Sequence, residues 1–124
     1  MLNQTFLDVM NHEGAVSIIS SSSEAPGYHV VNTWNSYVRI EEDKLFIPAA
    51  GMHSVQKDVE KNNQVTLTMG SKEVIGTVGP GAGFHVHGTA EFIEDGAIYN
   101  QMKVEMPFLT RILQINVLSI EQKI

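Results

Sequence analysis

No cysteine occurs in the 124 residues of this chain. Its absence removes disulfides, thiolate zinc sites, cysteine-ligated iron–sulfur clusters and a cysteine nucleophile together. Any redox work therefore falls to a bound organic cofactor or to a metal held by nitrogen and oxygen. Basic residues are scarce: eight Lys and Arg stand against fourteen Asp and Glu, a formal net charge of −6. That balance argues against a nucleic-acid partner, because binding a phosphate backbone draws on a surplus of Lys and Arg. No run approaches the roughly 18–20 apolar residues of a membrane span, and residues 1–8 lack the basic region and apolar stretch of a signal peptide. The expectation is a cytoplasmic protein without a membrane partner.

What is present suffices for a core. Hydrophobic residues make up 43% of the chain and charged residues 18%, a balance that folds, and the length fits one domain spanning residues 1–124. Thr5 and Asp8 resemble a capping box, and Phe6, Val9 and Met10 share a helical face. Together with Gly14 as a stop they predict a helix over residues 5–13. Residues 15–20 read as a strand and the Ser-rich run 20–23, with Glu24 to Gly27, as a loop. Tyr28 to Ile40 reads as one strand, paired in a hairpin with Lys44 to Pro48 across the acidic Glu41-Glu42-Asp43 turn. A short helix follows from Ser54 to Lys61 and a strand from Val65 to Met69. Residues 76–83 hold four glycines and a proline, which reads as irregular. A strand over 84–93, a helix capped by Asp95 and interrupted by Pro107, and a last strand over 113–120 complete the chain. The expected fold is mainly β with short α-helices, a six-stranded and largely antiparallel small barrel.

Four segments are candidates for chemistry. In Asn32-Thr33-Trp34-Asn35-Ser36-Tyr37, strand periodicity puts polar groups on both faces, which suits a planar heteroaromatic ligand or, equally, an edge strand with a solvated face. Gly51-Met52-His53-Ser54 leads into a helix whose N-terminal N–H groups favour a phosphate, with Ser54 and Lys57 as helpers; an ordinary capped helix has the same look. The glycine loop through Gly81, Ala82 and Gly83 allows close backbone approach but lacks dinucleotide-binding spacing. Gly79, His85, His87 and Glu91 reproduce the first metal motif of cupins, yet no histidine follows His87 to supply a second. His12 and His29 read as surface residues.

Taken together, the segments Val31 to Tyr37, Pro48 to His53 and Gly79 to Phe84 resemble the FMN-binding split-barrel family related to pyridoxamine phosphate oxidase, and the likeness runs from Glu13-Gly14 to Ser119-Ile120-Glu121-Gln122. The resemblance implies a split β-barrel and a homodimer holding two noncovalent FMN molecules near its interface. It implies that Asn32, Thr33, Trp34, Asn35 and Ser36 line the isoalloxazine and ribityl chain. Pro48, Ala49, Gly51, Met52, His53, Ser54 and Val55 would run toward the phosphate, and Gly81, Ala82 and Gly83 would support the cofactor. In the small FMN-binding members, a late aromatic and a C-terminal aliphatic residue reach the flavin from the partner subunit; here these match Phe108 and Ile124. The family places a Lys and then a Thr or Ser after Gly-Met-His, where this chain has Ser54 and Val55. Losing that cation costs roughly 1.5–3 kcal/mol of FMN affinity unless Lys57 compensates.

The function implied is electron transfer by an FMN carrier, with a redox partner protein or small-molecule donor left open and no catalytic residue assigned. A flavin reductase or a pyridoxamine phosphate oxidase-like enzyme is the alternative on the same fold, and a metal-binding β-barrel using His85, His87 and Glu91 is the alternative from another class. On the leading reading, the acidic, mostly apolar surroundings lower the flavin potential below that of free FMN, and Trp34 or Tyr37 against the ring quenches its emission. Redox titration and an emission spectrum of the holoprotein check both; a raised potential or bright emission contradicts them.

Overall fold

The computed structural model describes residues 1–124. Helix α1 (Gln4–Met10) buries Phe6, Val9 and Met10, as its periodicity predicts. Its cap is Asn3, whose side chain accepts the Phe6 N–H at 2.9 Å, so the helix begins one residue before the Thr5 start. Strands β1 (Ala15–Ser21) and β2 (Tyr28–Trp34) form a hairpin. A single 3-10 turn, Asn35–Tyr37, leads to β3 (Arg39–Glu41), which pairs with β4 (Lys44–Ala49) around the expected acidic turn. Helix α2 (His53–Lys61), the long strands β5 (Gln64–Ile75) and β6 (Pro80–Ile93), helix α3 (Ala97–Glu105) and β7 (Arg111–Gln122) follow.

All pairings are antiparallel, and the sheet order is β2-β1-β5-β6-β7-β4-β3. This corrects the six-stranded split barrel. The stretch from Tyr28 to Ile40 is not one strand: the turn at Asn35–Tyr37 divides it and adds a seventh. No ladder joins β2 to β3, so the sheet is open with two free edges, and the fold is mixed α/β. Those edge strands are nonetheless consecutive in sequence. Trp34 and Arg39 lie five residue steps apart, which holds them within about 18 Å and obliges the sheet to curl.

Two apolar clusters stabilise this arrangement. The larger lies against one face of the sheet, where α1 and α2 contribute Phe6, Val9, Val55 and Val59 to Ile18, Leu45, Leu67, Val86 and Ile115. Phe6 meets Phe84 edge-on at 5.5 Å. The smaller cluster, Phe46, Met102, Leu109 and Ile112, lies under α3 on the opposite face. Strand β4 is therefore covered on both sides, which accounts for its unbroken apolar run. Helix α3 starts from Gly96 rather than from a side-chain cap by Asp95.

The glycine-rich stretch 76–83 is more regular than its composition predicts. Strand β6 starts at Pro80, and Gly83 pairs with Gly70. These glycines serve close packing: a Cβ on Gly83 would come within 2.9 Å of Ile124, and one on Gly70 within 3.2 Å of the Ala82 carbonyl. Gly88 is tighter still. It sits at the register shift where β6 meets β7, and a Cβ there would lie 2.4 Å from the Asn116 carbonyl oxygen. Gly88→Ala should therefore destabilise the chain by about 2 kcal/mol, the range for overpacking, as read from the midpoint of urea unfolding. An unchanged midpoint would mean that β7 is free to move away.

Candidate functional site

The first candidate segment is built around a corner. Asn35 is 2% exposed, and its amide donates to Val9 O at 3.2 Å and His12 O at 2.7 Å, closing the C-terminal end of α1. Its backbone N–H donates to Gly14 O at 2.9 Å. Ser36 is bound to the same loop: its N–H and hydroxyl donate to the two oxygens of Glu13, at 3.1 and 2.7 Å. Those two bonds, side chain first, hold the Glu13 carboxyl below its ordinary value of 4.5. Glu13 was not among the residues singled out from the sequence, since its partner lies 23 positions away. Asn35 Oδ1 is the only buried side-chain polar atom without a partner. Thr33 is buried, while Asn32 and Trp34 are exposed on the edge strand, Trp34 to 50%. The Asn32 amide donates to Ser17 Oγ at 2.8 Å. Phe108 lies beside Tyr37 of its own chain, ring centroids 5.6 Å apart.

The second segment, between β4 and α2, is held from β7. Thr110 donates its N–H (2.9 Å) and its hydroxyl (3.2 Å) to Ala49 O. Arg111, 7% exposed, donates to the carbonyls of Ala50 and Gly51 and to Gln56 of α2, and its guanidinium lies 5.2 Å from the centre of the Phe92 ring. No carboxylate pairs with it, so this buried cation is spent on fixing loop carbonyls. Pro48 is buried opposite Ile112 of β7 and beyond the end of β3, so no β3 partner calls for its missing N–H. Met52 has φ 64 and ψ 29, a left-handed conformation that a side chain of this size adopts at a cost. A Cβ on the neighbouring Gly51 would meet nothing within 4 Å, and Gly51 is not left-handed, so the fold itself does not require glycine there.

Helix α2 brings the third group together. Val55 turns into the core, whereas Ser54 and Lys57 line a crevice of about 350 Å³ with Lys61, His29 and the serine run of the β1–β2 loop. Asp58 forms its inner wall. It is 8% exposed, and its Oδ2 accepts the Ser20 hydroxyl at 2.6 Å and lies 2.7 Å from His29 Nδ1. Burial pushes its pKa up, but the bonds from Ser20 and His29 and the charges of His29 and Lys61 outweigh burial and hold it below 3.8. His29, read from the sequence as a surface residue, is instead half-buried against Asp58, and Asp58 itself did not stand out. The available signal was Asp58 on the same helical face as Val55 and Val59, where a lone carboxylate implies a buried partner.

The remaining candidates are placed elsewhere. Gly81, Ala82 and Gly83 lie in β6, and Ile124 packs onto Gly83 of its own chain, with the Gly83 N–H donating to Ile124 O at 3.2 Å. His87 Nε2 lies 2.6 Å from Glu121, and no three His, Asp or Glu side chains gather to hold a metal around His85, His87 and Glu91. The His87 contact, with Lys123 nearby, holds Glu121 below 4.5. No helix is long and apolar enough to cross a membrane.

Comparison with known proteins adds to this geometry. The family model described as pyridoxamine 5'-phosphate oxidase matches residues 4–123. An FMN-binding protein of Nitratidesulfovibrio vulgaris (strain DSM 19637 / Miyazaki F) is 37% identical over 123 residues, covering 98% of each chain. The solved structure of HupZ from Group A Streptococcus has a TM-score of 0.78 at 17% identity, covering 99% of this chain and 94% of that one. An FMN-binding protein from Syntrophomonas wolfei subsp. wolfei has a TM-score of 0.68 at 11% identity, covering 94% and 82%. At such identities the two structures show likeness of fold alone.

The site is acid-sensitive by construction. A carboxylate with a depressed folded pKa contributes stability that is fully present above its unfolded value and is lost as pH falls through the folded one. Glu13, Asp58 and Glu121 are all depressed, so stability should decline below about pH 4.5, from ordinary values of 4.5, 3.8 and 4.5. Asp58→Asn should destabilise at neutral pH and flatten that decline, measured by thermal unfolding between pH 3 and 7. Arg111→Leu should cost about 2 kcal/mol, the worth of its charge-assisted bonds, and should speed amide exchange at Gly51 and Met52; slow exchange there would show that the loop is held otherwise.

Proposed function

The chain belongs to the pyridoxamine 5'-phosphate oxidase family, as its sequence motifs imply, and from that membership we propose that it binds FMN noncovalently and carries electrons with it. The observation that carries this reading is the edge of β2. Asn32 and Trp34 are presented outward there, and in the turn that follows the inward-facing Asn35 Oδ1 is the one buried acceptor left unpaired. An unpaired buried acceptor costs roughly 1–3 kcal/mol, and a ligand N–H or hydroxyl would remove that cost. Asn35 Oδ1 is closed to solvent, so the Trp34–Ser36 corner must open slightly to admit one.

The loop after β4 fits the same ligand. Gly51 is open where no neighbouring residue demands glycine, and Met52 beside it is left-handed, as backbones shaped for close approach often are. Ser54 and Lys57 lie on one exposed face of the α2 N-terminal turn, where N–H groups and the helix dipole favour a phosphate. When bound, FMN supplies one- and two-electron redox chemistry. The protein's part is to hold the ring at Trp34, to orient the ribityl chain with Asn32 and Ser36, and to keep water off one face. Glu13, fixed by Ser36, places a negative charge at this corner and opposes added electron density on the ring.

A second copy of the chain completes the proposal. Tyr28, Val30 and Trp34 form an exposed apolar stripe along a free sheet edge, an arrangement that a monomer leaves vulnerable to aggregation. Covering it in a homodimer shields both the stripe and the cofactor.

Absorption spectra of the purified chain, titrated with FMN and with riboflavin, test the reading. Flavin bands and tighter binding of FMN than riboflavin are expected, with a sedimentation mass of two chains; no binding of either flavin sinks the proposal. Gly51→Val should weaken FMN at least tenfold while leaving the melting temperature within a few degrees, and Trp34→Leu should brighten the bound flavin. Rapid bleaching by NADH would move the assignment from carrier to reductase.

A further inference from the structure

The crevice beside α2 contains more than the flavin reading uses. It is lined by ten residues, none of them hydrophobic, so it does not suit an isoalloxazine ring. Lys57 and Lys61 both face it, four residues apart on one helix, an arrangement that repels in isolation. Neither lysine has a carboxylate within ion-pair distance. In a chain with only eight Lys and Arg, two of them meet here, with the buried Asp58 and the rim Glu24 as the carboxylates that share the crevice.

His29 is the third donor-bearing side chain, and its placement is built. Asp58 sits beneath it, buried and already receiving the Ser20 hydroxyl, so the Nδ1 contact at 2.7 Å fixes the ring and its tautomer. With Nδ1–H donating to Asp58, Nε2 is the nitrogen available to the crevice, and it donates there when the ring is protonated. Ser21 at the end of β1 and Ser23 in the β1–β2 loop also line the crevice. The titratable and charged groups facing the cavity are then Lys57, Lys61 and His29 against Glu24 at the rim and Asp58, whose engaged oxygen points to Ser20 and His29.

We propose that this crevice binds a phosphate monoester, held by Lys57, Lys61 and His29 Nε2 with serine hydroxyls as additional donors. Lysine ammoniums and a protonated imidazole are charge-assisted donors to phosphate oxygens, and a polar cavity of about 350 Å³ admits the group with part of what it is attached to. Two sources share that chemistry. One is the terminal phosphate of FMN, in which case the inference rests on the flavin reading and assigns Lys61 and His29 to it. The other is a separate phosphorylated molecule, in which case the crevice is a second site.

Calorimetric titration of the full-length chain with inorganic phosphate, and with FMN and riboflavin in its presence and absence, decides among these. Wild type should bind phosphate, and Lys61→Ala and His29→Gln should each weaken it about tenfold, one charge-assisted contact apiece. If the crevice holds the FMN phosphate, inorganic phosphate competes with FMN but not riboflavin, and both variants weaken FMN alone. If it serves another molecule, phosphate binds without altering either flavin. Lys61 is exposed, so its variant keeps the test open should His29→Gln fail to fold. Absence of phosphate binding at millimolar concentration, together with unchanged FMN affinity in Lys61→Ala, overturns the proposal. A chain that ignores flavins yet binds phosphate through Lys61 refutes the flavin reading and leaves this one standing.

Discussion

The amide of Asn35 is the constraint on which the site depends. Its two N–H groups bind the carbonyls of Val9 in α1 and of His12 in the turn that follows, and its backbone N–H joins Gly14, so the end of α1 and the chain after it are tied to one residue. Each bond is worth about 1 kcal/mol net, but stripping the amide away would also take from the His12 carbonyl its side-chain partner, at roughly 1–3 kcal/mol, while Val9 O keeps the His12 N–H. To reach them Asn35 must turn inward, which breaks the strand that begins at Tyr28. The break turns Ser36 to Glu13, leaves Trp34 facing solvent and redirects the chain into β3 at the far edge of the sheet. The open, curled sheet and the polar corner thus share one cause.

Much of the fold was legible because it rests on local chemistry. The acidic turn before Lys44, the apolar face of α1 and the amphipathic face of α2 each follow from neighbours in sequence. The break at Asn35 was not legible, because β-branched and aromatic residues run on either side of it and the partners that bend the chain are 23 and 26 residues away. Glycine density was misleading at 81–83 for a related reason. Composition reports that side chains are missing, and only the structure shows that Gly70, Gly83 and Ile124 need the space.

The site residues divide in the same way. Family resemblance, carried by the Asn-Thr-Trp-Asn-Ser-Tyr and Gly-Met-His motifs, pointed to the segments proposed to contact a cofactor. It did not reveal what holds them. Arg111, Thr110, Glu13 and Asp58 act on backbone carbonyls, on a serine or on a histidine, and none has a motif of its own. Arg111 also limits how the site can work: a guanidinium already engaged by two carbonyls and Gln56, over Phe92, is not a free phosphate cation.

That leaves the cation that the family resemblance places at position 54, where this chain has Ser54. A helix repeats every 3.6 residues, so positions 54, 57 and 61 rise along one face in steps of three and four. Moving a lysine from the first of these to the second keeps it on the face that presents Ser54 and shifts it by about 4.5 Å along the axis, within reach of a side chain with four methylenes. The crevice confirms that Ser54, Lys57 and Lys61 do share that face. Replacing a lysine at the helix N-terminus with a serine there and lysines further along therefore spreads the positive charge over the crevice without abolishing it. The helix N-terminus keeps its own attraction for an anion throughout, since that comes from the backbone and is indifferent to which side chain follows His53.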